Sequence, residues 1–478
     1  MPSPSEPPPA ASLLELGQFG YASLEVWLGG WTDPSTRRQQ ATDRLQALIR
    51  SARAGSPLYQ RMYRELPAHS ALQLSELPVV TKRMVMADVA ESLTDRSVTR
   101  ADLESFVADP SLVGSLLRKR YAVWTSSGTS GEPGMFVHDT RALAIYEALE
   151  MLRFRGLSSF ADYTARILSG ERFALVMVTG GHFASISSAE HLRRTFPWLA
   201  SSIAPFSLLA PLDELVRGLN DFRPTLLATY PTAAEMLADE QEAGRLNLRL
   251  SELWTGGEFL APFVKARLQQ VLNCRVRNGY GASEFLSIAS ECSHGALHVN
   301  DDWVLLEPVD EQHRPVPPGT PSHTTLLTNL ANHVQPLIRY DLGDSITVLP
   351  ACRCGSTLPA IRVEGRRDDV LHFPDAEEHM VSLLPLVLTT VIEEEANVHD
   401  FQLIQTGART LRIAIGAAPA DVGDRVRKAL RGCLARHSVH DVAIEIDCEA
   451  PARGPRSGKL RRVVCAPVAQ PSPRAAML

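Results

Sequence analysis

Along the chain, segments of helical period alternate with short apolar runs of strand length, the pattern of an α/β protein rather than an all-β one. Thr42 is placed to cap a helix that carries Leu45, Leu48 and Ile49 on one face, with Gly55 just beyond its expected end. Thr225 to Thr229 (TLLAT) reads as a buried strand. Thr232 and Glu235 then have capping-box spacing for the helical stretch AAEMLADEQEA. Pro262 opens a further helix, PFVKARLQQVL, ahead of the strand-like CRVRN.

The alternation breaks at Gly365-Arg366-Arg367-Asp368-Asp369, a run with no large apolar side chain, and a domain boundary is expected there. Beyond it the pattern predicts a helix (Met380 to Glu395), two strands (FQLIQ and LRIAIG) turned by Thr406-Gly407, a helix (Asp421 to Arg436) and a strand (VAIEID). That is an α+β module of about 100 residues, near the modal domain size. The expected division is 13–364 for a large N-terminal domain, 365–369 for a hinge and 370–465 for the small domain. Residues 1–12, rich in Pro, Ser and Ala without a secretory pattern, read as a disordered leader, and 466–478 as a loose tail.

Composition narrows the function. With 478 residues, 45% hydrophobic and 21% charged, and a formal net charge of −6, the chain suits neither disorder nor nucleic-acid binding. The longest apolar run, Leu383 to Ile392, holds a proline and two threonines and falls short of the ~18 residues that span a bilayer. An odd seven cysteines argue for a reducing cytoplasm rather than a disulfide framework.

Candidate chemistry begins at Tyr121-Ala-Val-Trp-Thr-Ser-Ser-Gly-Thr-Ser-Gly-Glu-Pro133, a strand-like entry into a loop whose Thr125, Ser126, Ser127, Thr129 and Ser130 alternate with Gly128 and Gly131. Glycines let backbone N–H groups turn toward oxygens and hydroxyls add neutral donors, so such a loop can hold a polyphosphate. A flexible linker is the plain alternative, opposed by the amphipathic segment Leu143 to Leu152 that follows. GxxxxGK[ST] is absent from this loop, and Gly454 to Lys459 is one residue short and followed by Leu460, which disfavours a P-loop NTPase. On this segment alone an amidase-type serine nucleophile stays open, though it would need an activating base.

Five further motifs follow in order: Trp254-Thr-Gly-Gly-Glu258, Asn278-Gly-Tyr-Gly-Ala-Ser-Glu284, Ile338-Arg-Tyr-Asp-Leu-Gly-Asp344, Gly365-Arg-Arg-Asp-Asp369 and Arg456-Ser-Gly-Lys459. From about residue 75 to 465 the set resembles the adenylate-forming acyl- and aryl-CoA synthetase superfamily, in its phenylacetate-CoA ligase-like branch. The resemblance implies a large α/β domain of mixed sheets flanked by helices, with a small mobile α+β domain. It also implies ATP-dependent activation of a carboxylic acid to acyl-AMP, release of pyrophosphate and acyl transfer to coenzyme A.

By the resemblance, residues 125–131 grip the phosphates, and Gly256, Gly257, Glu258, Asn278, Gly279, Tyr280 and Gly281 wall the adenine, with the Tyr280 ring stacked on it. Ser283 bonds the α-phosphate, Glu284 holds Mg²⁺ through oxygen ligation, Asp344 accepts both ribose hydroxyls and Arg366 reinforces it. Lys459 delivers a cation to the carboxylate and α-phosphate, and Asp368 is the pivot of the domain motion. Gly134 departs from the broad pattern, standing where many members carry a lysine, which leaves the hydroxyls as the chief phosphate contacts.

Cys292-x5-His298 with Cys352-x-Cys354 forms a second constellation: three thiolates and one imidazole make a tetrahedral zinc set, structural rather than catalytic, with His294 as the alternative imidazole and ordinary buried thiols as the plain alternative. The acid pocket is expected between the strand containing Thr179 to Phe183, the segment Ala228 to Pro231 and the Gly257 and Gly281 walls, where His182, Phe183 and Tyr230 suit a flat ring and favour an aryl acid. Expected partners are thus an aryl acid, ATP and coenzyme A, with no nucleic acid or membrane and with a homodimer open. Rivals are adenylation with another acceptor (a carrier-protein thiol, an amine or a hydroxyl), a zinc-stabilised nucleotide-binding protein without turnover, and the amidase.

Overall fold

The structure is a computed structural model that describes residues 13–67, 72–126, 134–156, 165, 170–258, 260, 262–364, 371–383, 385–398, 401–416, 419–452 and 462–465. The expected leader, hinge and tail, and the loop 127–133, lie outside these residues.

Two helices, Leu13–Trp31 and Pro34–Gly55, open the fold. The second starts upstream of Thr42, because Pro34 sits in its first turn and the Asp33 carboxylate accepts the Ser35 and Thr36 N–H groups. Thr42 is interior, its hydroxyl donating to the Arg38 carbonyl, and Gly55 is the last helical residue rather than the one beyond.

Strands β1 (Tyr121–Ser126) and β2 (Gly134–Asp139) pair antiparallel on either side of the 127–133 loop. Helix Thr140–Leu149 follows, buried at Ala142 to Tyr146, Ala148 and Leu149, and widens into a π-turn over Glu150–Phe154. The expected amphipathic stretch Leu143 to Leu152 is therefore wrapped by core on nearly every side.

Next come β3 (Phe173–Met177), β4 (Ile203–Ser207), β5 (Leu226–Thr229), β6 (Glu252–Thr255) and β7 (Arg275–Ala282). They are parallel to one another in the order β4-β3-β5-β6-β7. Helices Ala184–Thr195, Leu212–Phe222, Pro231–Glu242 and Pro262–Val271 connect them as crossovers. The helix after β5 begins at Pro231 with Tyr230 as its cap residue, so the expected Thr232/Glu235 start lies inside its first turn. Thr179 to Phe183 follow β3 instead of forming part of it; Phe183 makes an isolated bridge to Thr125.

The sheet continues antiparallel through β8 (Phe285–Glu291), β9 (Leu297–Val299), β13 (Ile346–Val348) and β14 (Ala360–Val363), in the order β7-β8-β9-β14-β13. A separate sheet joins β10 (Val304–Val309), β11 (Thr324–Asn329) and β12 (Tyr340–Asp341).

In the C-terminal segment β15 (Leu371–Pro374) pairs with β16 (Met380–Leu383), which replaces the start of the expected helix; the helix itself runs Pro385–Ala396. β17 (Gln402–Gly407) and β18 (Thr410–Ala414) turn at Ala408-Arg409, since a bulge between Gln405 and Gly407 keeps Thr406-Gly407 within the strand. Helix Ala420–Arg436 and β19 (Ala443–Asp447) match the pattern, and β20 (Val463–Cys465) adds a parallel strand beside β17.

One apolar cluster surrounds β1, β2 and β8, with Trp124, Phe136, Tyr146, Phe285 and Trp303 all fully buried. A second runs from Val176, Leu227 and Leu253 of the parallel sheet to Phe373, Leu388 and Leu403 of the C-terminal segment, and a small third one joins Phe154, Leu226 and Trp254. Among the described residues no helix is long and apolar enough to cross a membrane.

Candidate active site

Cross-strand register gathers the motifs. Thr229 of β5 lies opposite Thr255 of β6, which lies opposite Asn278 of β7, so Tyr230, Gly256 to Glu258 and Asn278 to Tyr280 meet at the carboxyl ends of parallel strands. That edge is where α/β sheets bind ligands, since successive crossovers leave a crevice there.

The Thr255 hydroxyl donates to the Asn278 side-chain oxygen at 3.2 Å, and the Asn278 N–H donates to Glu291, itself paired with Lys265 at 2.6 Å. Gly256 faces the Gly279 carbonyl, 3.2 Å from where a Cβ would stand. Gly257 has a φ of +79°, which glycine adopts without strain, and its open side lies 3.2 Å from the Tyr230 ring. At Gly281 a Cβ would fall 1.9 Å from the Leu286 carbonyl oxygen, so no side chain fits.

Tyr280 donates its hydroxyl hydrogen bond to Asp344 Oδ2 at 2.9 Å. Asp344 is held in turn by Thr325, whose hydroxyl donates to the Asp344 carbonyl at 2.8 Å, and the preceding Gly343 N–H donates to Asp341. Ser283 and Glu284 form the two-residue turn between β7 and β8, with Glu284 9% exposed.

Thr125 and Ser126 end β1, and the Thr125 N–H donates to the His182 carbonyl at 2.7 Å, tying the phosphate-loop strand to the segment after β3. The His182 ring is turned inward, its Nε2 bonded to the Asp109 carbonyl at 2.9 Å and its face against Phe106, so it offers packing rather than a donor. Phe183 lies against Gly181 and Tyr230 against Gly257. Burial, and the nearby Glu258 charge, raise the Tyr230 phenol above its usual range and keep it neutral. Ser127 to Gly131, Arg366, Asp368 and Lys459 lie outside the described residues.

Lys82 is a member of the site that the motifs do not reveal. It opens helix Lys82–Ala87, and its Nζ donates to Ser126 Oγ at 3.3 Å. A Cβ on Gly134 would come within 3.0 Å of Lys82 Cε and 2.8 Å of the Phe136 ring, so the lysine stem occupies the space that a side chain at 134 would need. The only trace in sequence is Lys82-Arg83 directly after the capping Thr81, two cations at a helix N-terminus where the helix dipole disfavours them.

Away from this edge, Cys292, His298, Cys352 and Cys354 bring one ligand atom each within 4.8 Å of one another. The Cys292 and Cys352 sulfurs are 3.7 Å apart and Cys354 Sγ is 3.3 Å from His298 Nε2. Tetrahedral zinc requires separations of about 3.8 Å and about 3.6 Å for these pairs. His298 Nδ1 donates to the Leu358 carbonyl, leaving Nε2 as the ligating nitrogen, and the His294 and Ser356 N–H groups donate to Cys292 and Cys354 sulfurs. The Cys354 N–H also draws the Cys352 thiol below its usual range. His294 is exposed and turned to Ser293, which leaves His298 as the imidazole of the set.

Residues 38–323 match the family described as AMP-binding enzyme. Phenylacetate-coenzyme A ligase of Thermus thermophilus is 25% identical over 371 residues, covering 72% of this chain and 80% of that protein. Protein CapK of Staphylococcus aureus is 25% identical over 165 residues, 34% of this chain and 35% of its own. The fold is shared with a crystal structure of 2-hydroxyisobutyryl-CoA ligase in complex with 2-HIB-AMP and CoA, at a TM-score of 0.58, 21% identity and 91% coverage of both chains. A family match over more than half the chain, joined to motifs that converge on one sheet edge, makes this chain a member of the AMP-binding enzyme family and an AMP-forming acid ligase of the adenylate-forming superfamily.

Proposed function

We propose that the chain couples an aryl carboxylic acid (of benzoate, anthranilate or phenylacetate type) to coenzyme A by way of an acyl-adenylate, with release of pyrophosphate. The observation that carries this reading is the 2.9 Å hydrogen bond from Tyr280 to Asp344, at the strand edge that also bears Gly256 to Glu258. It joins a ring able to stack on adenine to a carboxylate able to accept both ribose hydroxyls, so one nucleoside satisfies both.

Each residue then has a task. Thr125, Ser126 and the loop 127–131 donate to the β- and γ-phosphates, and Lys82 adds the positive charge that Gly134 lacks. Ser283 donates to the α-phosphate. The Glu284 carboxylate is a hard oxygen donor of the kind that holds Mg²⁺, which when bound offsets phosphate charge. Lys459 stabilises charge between the attacking carboxylate and the α-phosphate, a contact made in adenylation alone. Phe183 and Tyr230 offer the acid flat apolar faces beside Gly181 and Gly257, where an added Cβ would press on those same rings at 3.0 and 3.2 Å. The Cys292, His298, Cys352 and Cys354 set fits a structural zinc that pins the β8–β9 hairpin to the loop before β14.

Acid-dependent exchange of pyrophosphate into ATP, followed by thioester analysis, tests the reading. Benzoate- or anthranilate-like acids should support exchange with a higher kcat/KM than aliphatic ones, and the thioester should form only with coenzyme A. A long-chain fatty acid or a compact hydroxy acid giving the highest kcat/KM would overturn the aryl assignment. Exchange without a CoA thioester would transfer the reaction to another acceptor.

A further inference from the structure

Behind the Ser283-Glu284 turn lies a chain of buried polar side chains that no motif accounts for. His138 of β2 is fully buried, with Nε2 3.1 Å from the Ser283 carbonyl oxygen and Nδ1 3.0 Å from the Tyr146 hydroxyl. A carbonyl only accepts, so Nε2 carries the proton and Nδ1 accepts from Tyr146. Tyr146 in turn accepts from Asn329 Nδ2 at 2.8 Å, and the same amide nitrogen donates to the Glu284 carbonyl at 2.8 Å. Trp124 of β1 supplies a second donor to Ser283, its indole N–H at 2.8 Å, and its ring stacks on His138 with centroids 4.2 Å apart.

Two consecutive carbonyls are thus captured from three strands. Each peptide unit is planar, so fixing both carbonyl directions fixes the peptide planes on either side of Glu284, and with them the exit direction of its side chain and one of the two planes that set Ser283. Two of the three donating strands, β1 and β2, are those that flank the phosphate loop. One buried carbonyl needs a single partner, and an apolar side chain would fill the His138 site at less desolvation cost; placing a histidine, a tyrosine and an asparagine there buries polar groups that must all be paired.

We propose that His138 is a positioning residue for adenylate formation, locking the Ser283-Glu284 turn to the β1–β2 hairpin so that α-phosphate, metal and pyrophosphate contacts keep one geometry. This rests on the reading of Ser283 and Glu284 given above.

The test uses the full-length enzyme and the variants His138→Phe, which keeps a ring on Trp124 but removes both hydrogen bonds, and Tyr146→Phe, which keeps the imidazole and its bond to Ser283 but removes the hydroxyl that links Nδ1 to Asn329. In His138→Phe, kcat for pyrophosphate exchange should fall about 100-fold with KM for the acid nearly unchanged, as expected for a misplacement near 1 Å. MgATP affinity by calorimetry should weaken about 10-fold in this variant, and the exchange kcat of Tyr146→Phe should fall about 10-fold. Thioester formation from supplied acyl-adenylate should stay at the wild-type rate in both. Equal slowing of both half-reactions, or a drop in melting temperature with unchanged exchange, would overturn the inference and leave a structural role only. If His138→Phe does not fold, Tyr146→Phe decides alone by the same criteria. An exchange-active wild type matched by both variants sinks this inference alone, whereas a wild type without exchange sinks the proposed reaction and this inference together.

Discussion

Glu394 is the middle of three glutamates on helix Pro385–Ala396, and its surroundings set its protonation. Glu393 pairs with Arg462 and Glu395 with Arg436, while among the described residues Glu394 has no cationic partner and reaches toward Gly181 in the loop after β3. Glu394 keeps contact with solvent, and partial desolvation first, then the two flanking carboxylates, raise its pKa to about 6. A folded value above the unfolded one means that the native state holds the proton more tightly, so this group costs stability as pH rises through about 4.5 to 6 and the cost stays constant above. Glu394→Gln should therefore be more stable than wild type at pH 7.5, by about 1 kcal/mol or less after solvent screening, with no difference near pH 4. Paired thermal melts at the two pH values check this, and an advantage of equal size at both would contradict it. The same contact joins the C-terminal segment to the loop after β3, where a Cβ on Gly181 would lie 2.9 Å from the Glu394 carboxylate.

At the scale of elements, what the sequence reveals depends on whether the signal is local. The strands at 121–126, 226–229 and 275–282 and the helices at 262–271 and 420–436 follow from apolar runs and from local start signals such as Pro262. Expected starts fail where another start signal stands nearby: the Asp33 cap with Pro34 outranks Thr42, and Pro231 at the first helical position precedes Thr232. Met380–Leu383 reads as helix in sequence because its strand partner, β15, lies across a turn that no period reveals. In the site, glycine-rich and acidic motifs are legible because close backbone approach demands specific residues. Lys82, His138 and Asn329 are not, since each acts through a distant strand. The Cys/His cluster combines both cases, with local pairs joined by the β9–β14 register, which sets Ala360 opposite His298. We expect about one zinc per chain by elemental analysis. Cys352→Ser should lower the melting temperature with little change in the exchange kcat of the folded fraction, because the cluster clips loops away from the strand edge. Zinc-free protein, or a Cys352→Ser variant that melts like wild type, would contradict this.

Over the whole molecule, the proposed chemistry needs two faces of the C-terminal part in turn, first to present Lys459 for adenylation and then to admit the thiol. Lys459→Ala should abolish adenylate formation yet leave thioester formation from supplied acyl-AMP nearly intact, since the cation is required by charge present in the first transition state. Asp368→Pro should do the reverse by fixing φ at the expected pivot. Single-turnover assays in which both variants slow both half-reactions equally would exclude alternation. Both half-reactions depend on one species, the acyl-adenylate. Wild-type protein mixed with ATP, Mg²⁺ and an aryl acid without coenzyme A, quenched within one turnover and read by mass spectrometry, should yield acyl-AMP and pyrophosphate. ADP with phosphate, or no acid-dependent product for any carboxylic acid tried, would contradict it.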